Sequence, residues 1–184
     1  SSTGGTEALR ALFEALPAGL PPIAVVQHIL PGFTAAYAQR LDSVSPVRVK
    51  EAVDGEHLLN GHAYLAPSLK HLRVQGVPGG GWKAQVAEGE RHRNHLPSVD
   101  ILMLSAAEAR VGRKGLGVIL TGMGDDGARG MVALRQGGSA TLGQDEATSV
   151  VYGMPKVAYE MGGVGSQLPL QEIPPEIVRW AAGP

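Results

Sequence analysis

The run Gly117-Val118-Ile119-Leu120, closed at once by Thr121-Gly122-Met123-Gly124-Asp125-Asp126-Gly127, constrains the fold more than any other stretch of the chain. A short continuous apolar run bounded by turn residues reads as a central strand. The glycines behind it let the backbone turn sharply. A helix is expected next, from about Ala128 to Gln136, and then a strand near Ala140-Thr141-Leu142. Strand, helix and strand in that order make a βαβ unit, so the α/β class follows.

The rest of the chain repeats the theme. Thr6 to Leu16 places Leu9, Leu12, Phe13 and Leu16 on one helical face. Ile23 to Gln27 is a buried-strand run between Pro21-Pro22 and Pro31-Gly32, with a helix expected from Thr34 to Leu41. Ala63 to Ala66 and His71 to Val74 read as short strands. After the Gly79-Gly80-Gly81 turn, Trp82 to Ala87 alternates and is expected to return antiparallel, as an edge of the sheet. Ser98 caps a helix to Val111, Met154-Pro155 opens another, and Ile173 to Trp180 closes the chain.

Composition narrows the function. The 184 residues suit one domain, and 43% hydrophobic against 18% charged residues is a globular balance. Sixteen Lys and Arg against 17 Asp and Glu give a net charge of −1, which offers no basic field for a nucleic acid. With no cysteine, disulfides, thiolate metal sites and a cysteine nucleophile are excluded, and a reducing cytoplasm fits. No apolar run approaches the roughly 20 residues of a membrane span. The chain starts at Ser1 without a methionine and reads as a trimmed piece.

Three turns expose polar side chains where chemistry is possible. Ser1-Ser2-Thr3-Gly4-Gly5-Thr6 opens the first helix, where backbone N–H groups and the helix dipole favour negative charge; an N-cap cluster would look the same. His28 directly follows the Ile23 to Gln27 strand, and the carboxyl end of a strand is where ligands gather in doubly wound sheets. A structural histidine bonded to a carbonyl fits that position equally. The third turn, Gly122-x-Gly124-x-x-Gly127, matches a dinucleotide fingerprint with Asp145 and Glu146 downstream. Asp125 and Asp126 would oppose a pyrophosphate there, and one aspartate could instead orient a histidine. The remaining histidines show no metal-ligand spacing, so neither a metal nor a cofactor is expected.

The segments Ser1 to Arg10, Val25-Val26-Gln27-His28-Ile29-Leu30-Pro31-Gly32-Phe33-Thr34 and Gly117 to Gly127 resemble the signature segments of the CheB family. So do Gly61 to Pro67, Pro97-Ser98-Val99-Asp100 and Gln144 to Pro155. The resemblance runs from Ser1 to about Val164. It implies one catalytic domain over residues 1–184, doubly wound, with a mostly parallel sheet, an antiparallel hairpin and three αβα layers. It implies a chemotaxis protein-glutamate methylesterase, a cytoplasmic serine hydrolase acting on glutamate methyl esters of receptor helices. Receptor glutamine deamidation is implied as a second activity, and an inactive receptor-binding relative is the alternative.

Carried over residue by residue, the resemblance implies Ser2 as nucleophile, His28 as base and Asp126 as its orienting acid, with the Thr3 and Met123 N–H groups lining an oxyanion site. The family's receiver domain and linker are absent, as is the strand that leads into the serine turn, so that turn is expected to be poorly anchored. Around His95, Asn94 and Leu96 stand where the family commonly has arginines, with Arg91 and Arg93 close by.

Overall fold

In the computed structural model, which describes residues 1–183, helices and strands alternate along most of the chain. They run α1 (Gly5–Ala15), β1 (Ile23–Val25), α2 (Thr34–Val44), β2 (Arg48–Glu51), β3 (His62–Leu65), β4 (His71–Gly76) and β5 (Trp82–Ala87). Then come α3 (Val99–Glu108), β6 (Leu116–Ile119), α4 (Ala128–Gln136), β7 (Ala140–Gln144), α5 (Met154–Glu160), β8 (Ser166–Leu168) and α6 (Ile173–Ala181). None of the described helices is long and apolar enough to cross a membrane.

Six strands form two parallel half-sheets, β2-β3-β1 and β6-β7-β8. Each has its middle strand in register with both neighbours: Leu65 of β3 faces Val25 and Glu51, and Leu142 of β7 faces Val118 and Ser166. Strands β4 and β5 pair antiparallel from His71 opposite Ala87 to Gly76 opposite Trp82. They form a sheet of their own rather than the expected edge, because β4 lies on α3, where Ser105 Oγ accepts the Val74 N–H at 2.8 Å. Two strands escaped the sequence reading. Arg48–Glu51 buries only Val49 well and has charged neighbours on both sides, and Ser166–Leu168 has three residues.

Helices cover both faces. Phe13, Leu16 and Leu41 of the α1–α2 side are 0–1% exposed, and so are Ile119 and Met131 on the side of α3 and α4. Between β1 and β6 lies an apolar slot of about 250 Å³, walled by Ile23 and Val25 on one edge, Leu116 and Val118 on the other, and Phe13 and Met103 on the two faces.

At the carboxyl end of this slot, the first two residues connect the half-sheets. Ser1 N donates to Val26 O and His28 N to Ser1 O, both at 3.0 Å, while Ser2 N donates to Thr121 O at 3.0 Å on the β6 side. The expectation of a poorly anchored turn is therefore not met. The order β2-β3-β1, serine turn, β6-β7-β8 makes this the point where the winding reverses, the usual location of a ligand site in an open α/β sheet.

Candidate active site

Three loops converge at that point. The serine turn enters α1 through Gly4, whose φ of 77° suits glycine; a Cβ there would lie 2.5 Å from the Cβ of Val150. Behind the turn, the buried Gln27 amide donates to Ser2 O at 2.9 Å and to His28 O at 3.0 Å, and accepts from Ser1 Oγ. The two adjacent serines thus diverge. Ser1 spends its hydroxyl on Gln27, whereas the Ser2 hydroxyl has no hydrogen bond to any described residue.

Gly122 packs against Ser2 from the β6 side. A Cβ on Gly122 would lie 2.4 Å from the Met154 sulfur and 2.8 Å from Ser2 Cβ, both closer than real Cβ atoms approach, and 3.0 Å from Ser2 N. Gly122→Ala is therefore expected to displace the end of the Met154 side chain and push the serine turn outward. A displacement near 1 Å costs about 100-fold in rate for a positioned reactant. Ester turnover with a retained thermal midpoint would show it, and unchanged turnover would show that the turn is softer than the geometry states.

His28 follows β1 and Asp126 follows β6. The His28 Nε2 atom lies 2.8 Å from Asp126 Oδ2. Asp126 is fully buried and takes three further donors: Val99 N at 2.7 Å on Oδ2, and Ser98 Oγ at 2.7 Å and Asp100 N at 3.0 Å on Oδ1. The carboxylate therefore sits on the N-terminus of α3, where its charge meets the positive end of the helix dipole. Burial works to raise its pKa, but the bonds from His28, Asp100, Ser98 and Val99 outweigh burial and hold Asp126 well below the usual carboxylate range. Because Asp126 stays ionised, His28 Nε2 carries the proton of that bond. His28 Nδ1, buried and without a hydrogen-bond partner, is then the atom with a free lone pair.

The Thr3 and Met123 N–H groups donate to no acceptor among the described residues. Asp125 lies outside this arrangement, paired with Arg93. The dinucleotide reading of the same glycines finds its anion site already taken: Asp100 Oδ1 accepts the Gly130 N–H in the first turn of α4 at 2.8 Å, and Asp126 is buried beside it. Asp145 accepts from Thr148 N at 3.0 Å, which closes a local turn.

His28, His95 and Asp126 also bring three possible metal ligands within 4.8 Å. The two rings are stacked at 4.1 Å with planes 5° apart. Imidazole lone pairs lie in the ring plane, so those of two parallel rings run side by side and do not meet on one ion.

Sequence reasoning missed Gln27, His95 and the second duty of Ser98. Ser98 caps α3 by accepting from Ile101 N at 3.3 Å and gives its own proton to Asp126. The only sequence signal for that pairing is a small polar residue at a helix cap.

The chain is similar to known proteins in both sequence and structure. The family model described as CheB methylesterase matches residues 1–177. A Bradyrhizobium diazoefficiens protein named protein-glutamate methylesterase/protein-glutamine glutaminase of group 3 operon is 52% identical over 182 residues, 98% of this chain and 49% of the relative. An Anaeromyxobacter dehalogenans protein named protein-glutamate methylesterase/protein-glutamine glutaminase 1 is 50% identical over 181 residues, 98% of this chain and 51% of the relative. The chain thus spans about half the length of the curated relatives it matches. The crystal structure of the Thermotoga maritima CheB methylesterase catalytic domain superposes with a TM-score of 0.92 at 40% identity, covering 97% of this chain and 94% of that one.

Proposed function

The chain belongs to the CheB methylesterase family, and from that premise we propose that it is a serine hydrolase of γ-glutamyl methyl esters on the cytoplasmic helices of chemoreceptors. The observation that carries the reading is the His28 ring. Its Nε2 is tied to an ionised aspartate and its Nδ1 is left free, on a backbone bonded to the serine turn.

Ser2 Oγ attacks the ester carbonyl carbon while His28 Nδ1 takes the hydroxyl proton. Asp126 stabilises the imidazolium that forms and does not itself gain the proton. The Thr3 and Met123 N–H groups receive the developing oxyanion. Collapse breaks the bond to the methoxy group, which leaves as methanol with the proton from His28. Water then attacks the Ser2 acyl ester, again with His28 as base; as the acyl bond breaks, His28 returns the proton to Ser2 Oγ and the free glutamate carboxylate leaves. An amide substrate follows the same path with ammonia as the leaving group, which is the glutaminase activity named for the relatives.

The surroundings support a macromolecular substrate. Leu30, Phe33, Met123 and Val150 are 58–72% exposed on the loops that build the site, an apolar rim of the kind that marks docking surfaces. Arg93 is paired with Asp125, whereas Arg91 donates only to the neutral Asn94 carbonyl at 3.2 Å and keeps its charge beside His95, where the family commonly has arginines. Residues 1–184 are proposed to be the catalytic unit, with a receiver domain as its partner in the full-length architecture.

The test is methanol release from a chemoreceptor cytoplasmic fragment carrying γ-glutamyl methyl esters, with fluorophosphonate labelling run alongside. Methanol release together with label on Ser2 is the expected result. Neither release nor label would leave a binding-only relative.

A further inference from the structure

We propose that His95 is a positioning residue for His28: its ring is a fixed plate that holds the basic imidazole flat while Asp126 holds one edge. This rests on the hydrolase reading of the same site. The two rings are 4.1 Å apart between centroids and 5° from parallel. A single hydrogen bond at Nε2 fixes one point of the His28 ring and leaves it free to rock about that point. A ring stacked on its face removes the rocking, and with it the swing of Nδ1 away from the serine turn.

The loop that carries His95 is built as a rigid bracket. His92 and His95 exchange both backbone hydrogen bonds at 2.9 Å around Arg93 and Asn94, whose φ values of 48° and 71° make a tight two-residue reversal. Arg93 pairs with Asp125 and so pins the tip to the loop after β6. The buried His71 ties the base: its Nε2 lies 2.9 Å from Glu90 O, and its Nδ1 accepts from Ser98 N at 3.3 Å. Ser98 is also a donor to Asp126. The plate and the carboxylate therefore share one support, and each fixes a different freedom of the same ring.

The charges allow this role. When His28 takes the serine proton, a neutral imidazole lies on its face; a second proton on the pair would set two cations 4.1 Å apart. Burial and the facing His28 lower the His95 pKa, with Arg91 acting the same way, while Asp126 and Asp125 act against them. His95 thus remains uncharged while His28 works.

The test compares His95→Ala and His95→Phe, the second keeping a flat ring without a proton to exchange. Proton NMR follows the low-field signal of the His28 Nε2–H in its bond to Asp126, and methanol release gives kcat and KM. His95→Ala is expected to lose about tenfold in kcat with KM unchanged, and its low-field signal to broaden. His95→Phe is expected to restore both the signal and most of kcat. An unchanged signal in His95→Ala, or a His95→Phe as impaired as His95→Ala, overturns the proposal. The NMR comparison needs no turnover, so an absence of methanol release from the parent chain would count against the hydrolase reading alone.

Discussion

Ser2→Ala is expected to lower methanol release by about a millionfold, which takes it to the limit of detection and leaves the fold untouched. The Ser2 side chain bonds to no described residue, so loss of its oxygen removes no support. The turn stays fixed through its backbone: Ser2 N to Thr121 O at 3.0 Å, Gly5 N to Ser2 O at 2.7 Å and Gln27 Nε2 to Ser2 O at 2.9 Å. Thermal unfolding should therefore coincide with that of the parent chain while turnover vanishes. A variant that still releases methanol at the parental rate would move the nucleophile elsewhere. Ser1 is a poor substitute, because its hydroxyl is buried against Gln27.

Asp126→Asn is expected to reduce kcat by about 10,000-fold, the scale seen when a triad carboxylate becomes an amide. Here the substitution does more than change a charge. Four donors converge on the carboxylate, from His28, Val99, Ser98 and Asp100. An amide has one oxygen to accept with, and its NH2 group turns two donors against those already present. His28 is left either to flip its tautomer, which puts the proton on Nδ1 where the base is needed, or to lose its tether.

Stability should change with pH in a defined sense. The folded-state pKa of Asp126 is depressed, so its contribution is fully present above the unfolded carboxyl value of about 3.9 and is lost as pH falls below that toward the folded value. Urea midpoints of the parent chain should therefore drop between about pH 4 and pH 2 more steeply than those of Asp126→Asn. Parallel curves for the two proteins would mean that Asp126 is not a depressed carboxyl. Ser98→Ala is the milder companion. It removes one of the four donors and the N-cap of α3 together, at about 1 kcal/mol each, and leaves the His28 bond in place.

How much of this was legible in the sequence depended on the range of the interaction. Helix α4 was read with the bounds that it has, Ala128–Gln136, since its start signal and face lie within nine residues. The three site loops could be located because small residues after apolar runs mark strand ends. The spatial partners were not legible in the same way. His28 and Asp126 are 98 residues apart, and Thr121 Oγ1 reaches Thr3 O over 118. No periodicity relates such positions, so pairing Asp126, rather than Asp125, with His28 rested on resemblance. Gln27 reads as one more residue of a buried strand, although its amide ties serine and histidine loops together. His95 was a histidine in a polar loop until the bracket around Arg93 and Asn94 laid its ring on His28.

The strand order has a consequence for how protection from hydrogen exchange is distributed. In a parallel sheet, alternate N–H groups of a strand point to opposite neighbours. The middle strands β3 and β7 are paired on both sides, so every one of their amides has a strand beside it. The outer strands β2 and β8 are paired on one side only, and their outward-facing amides have no described strand beside them. Those amides are expected to exchange with the fast, local openings of the molecule, whereas β3 and β7 wait for larger ones. The serine turn is bonded instead to Val26 and His28 after β1 and to Thr121 after β6. The residues meant to hold still for catalysis are thus mounted away from the strands that open first.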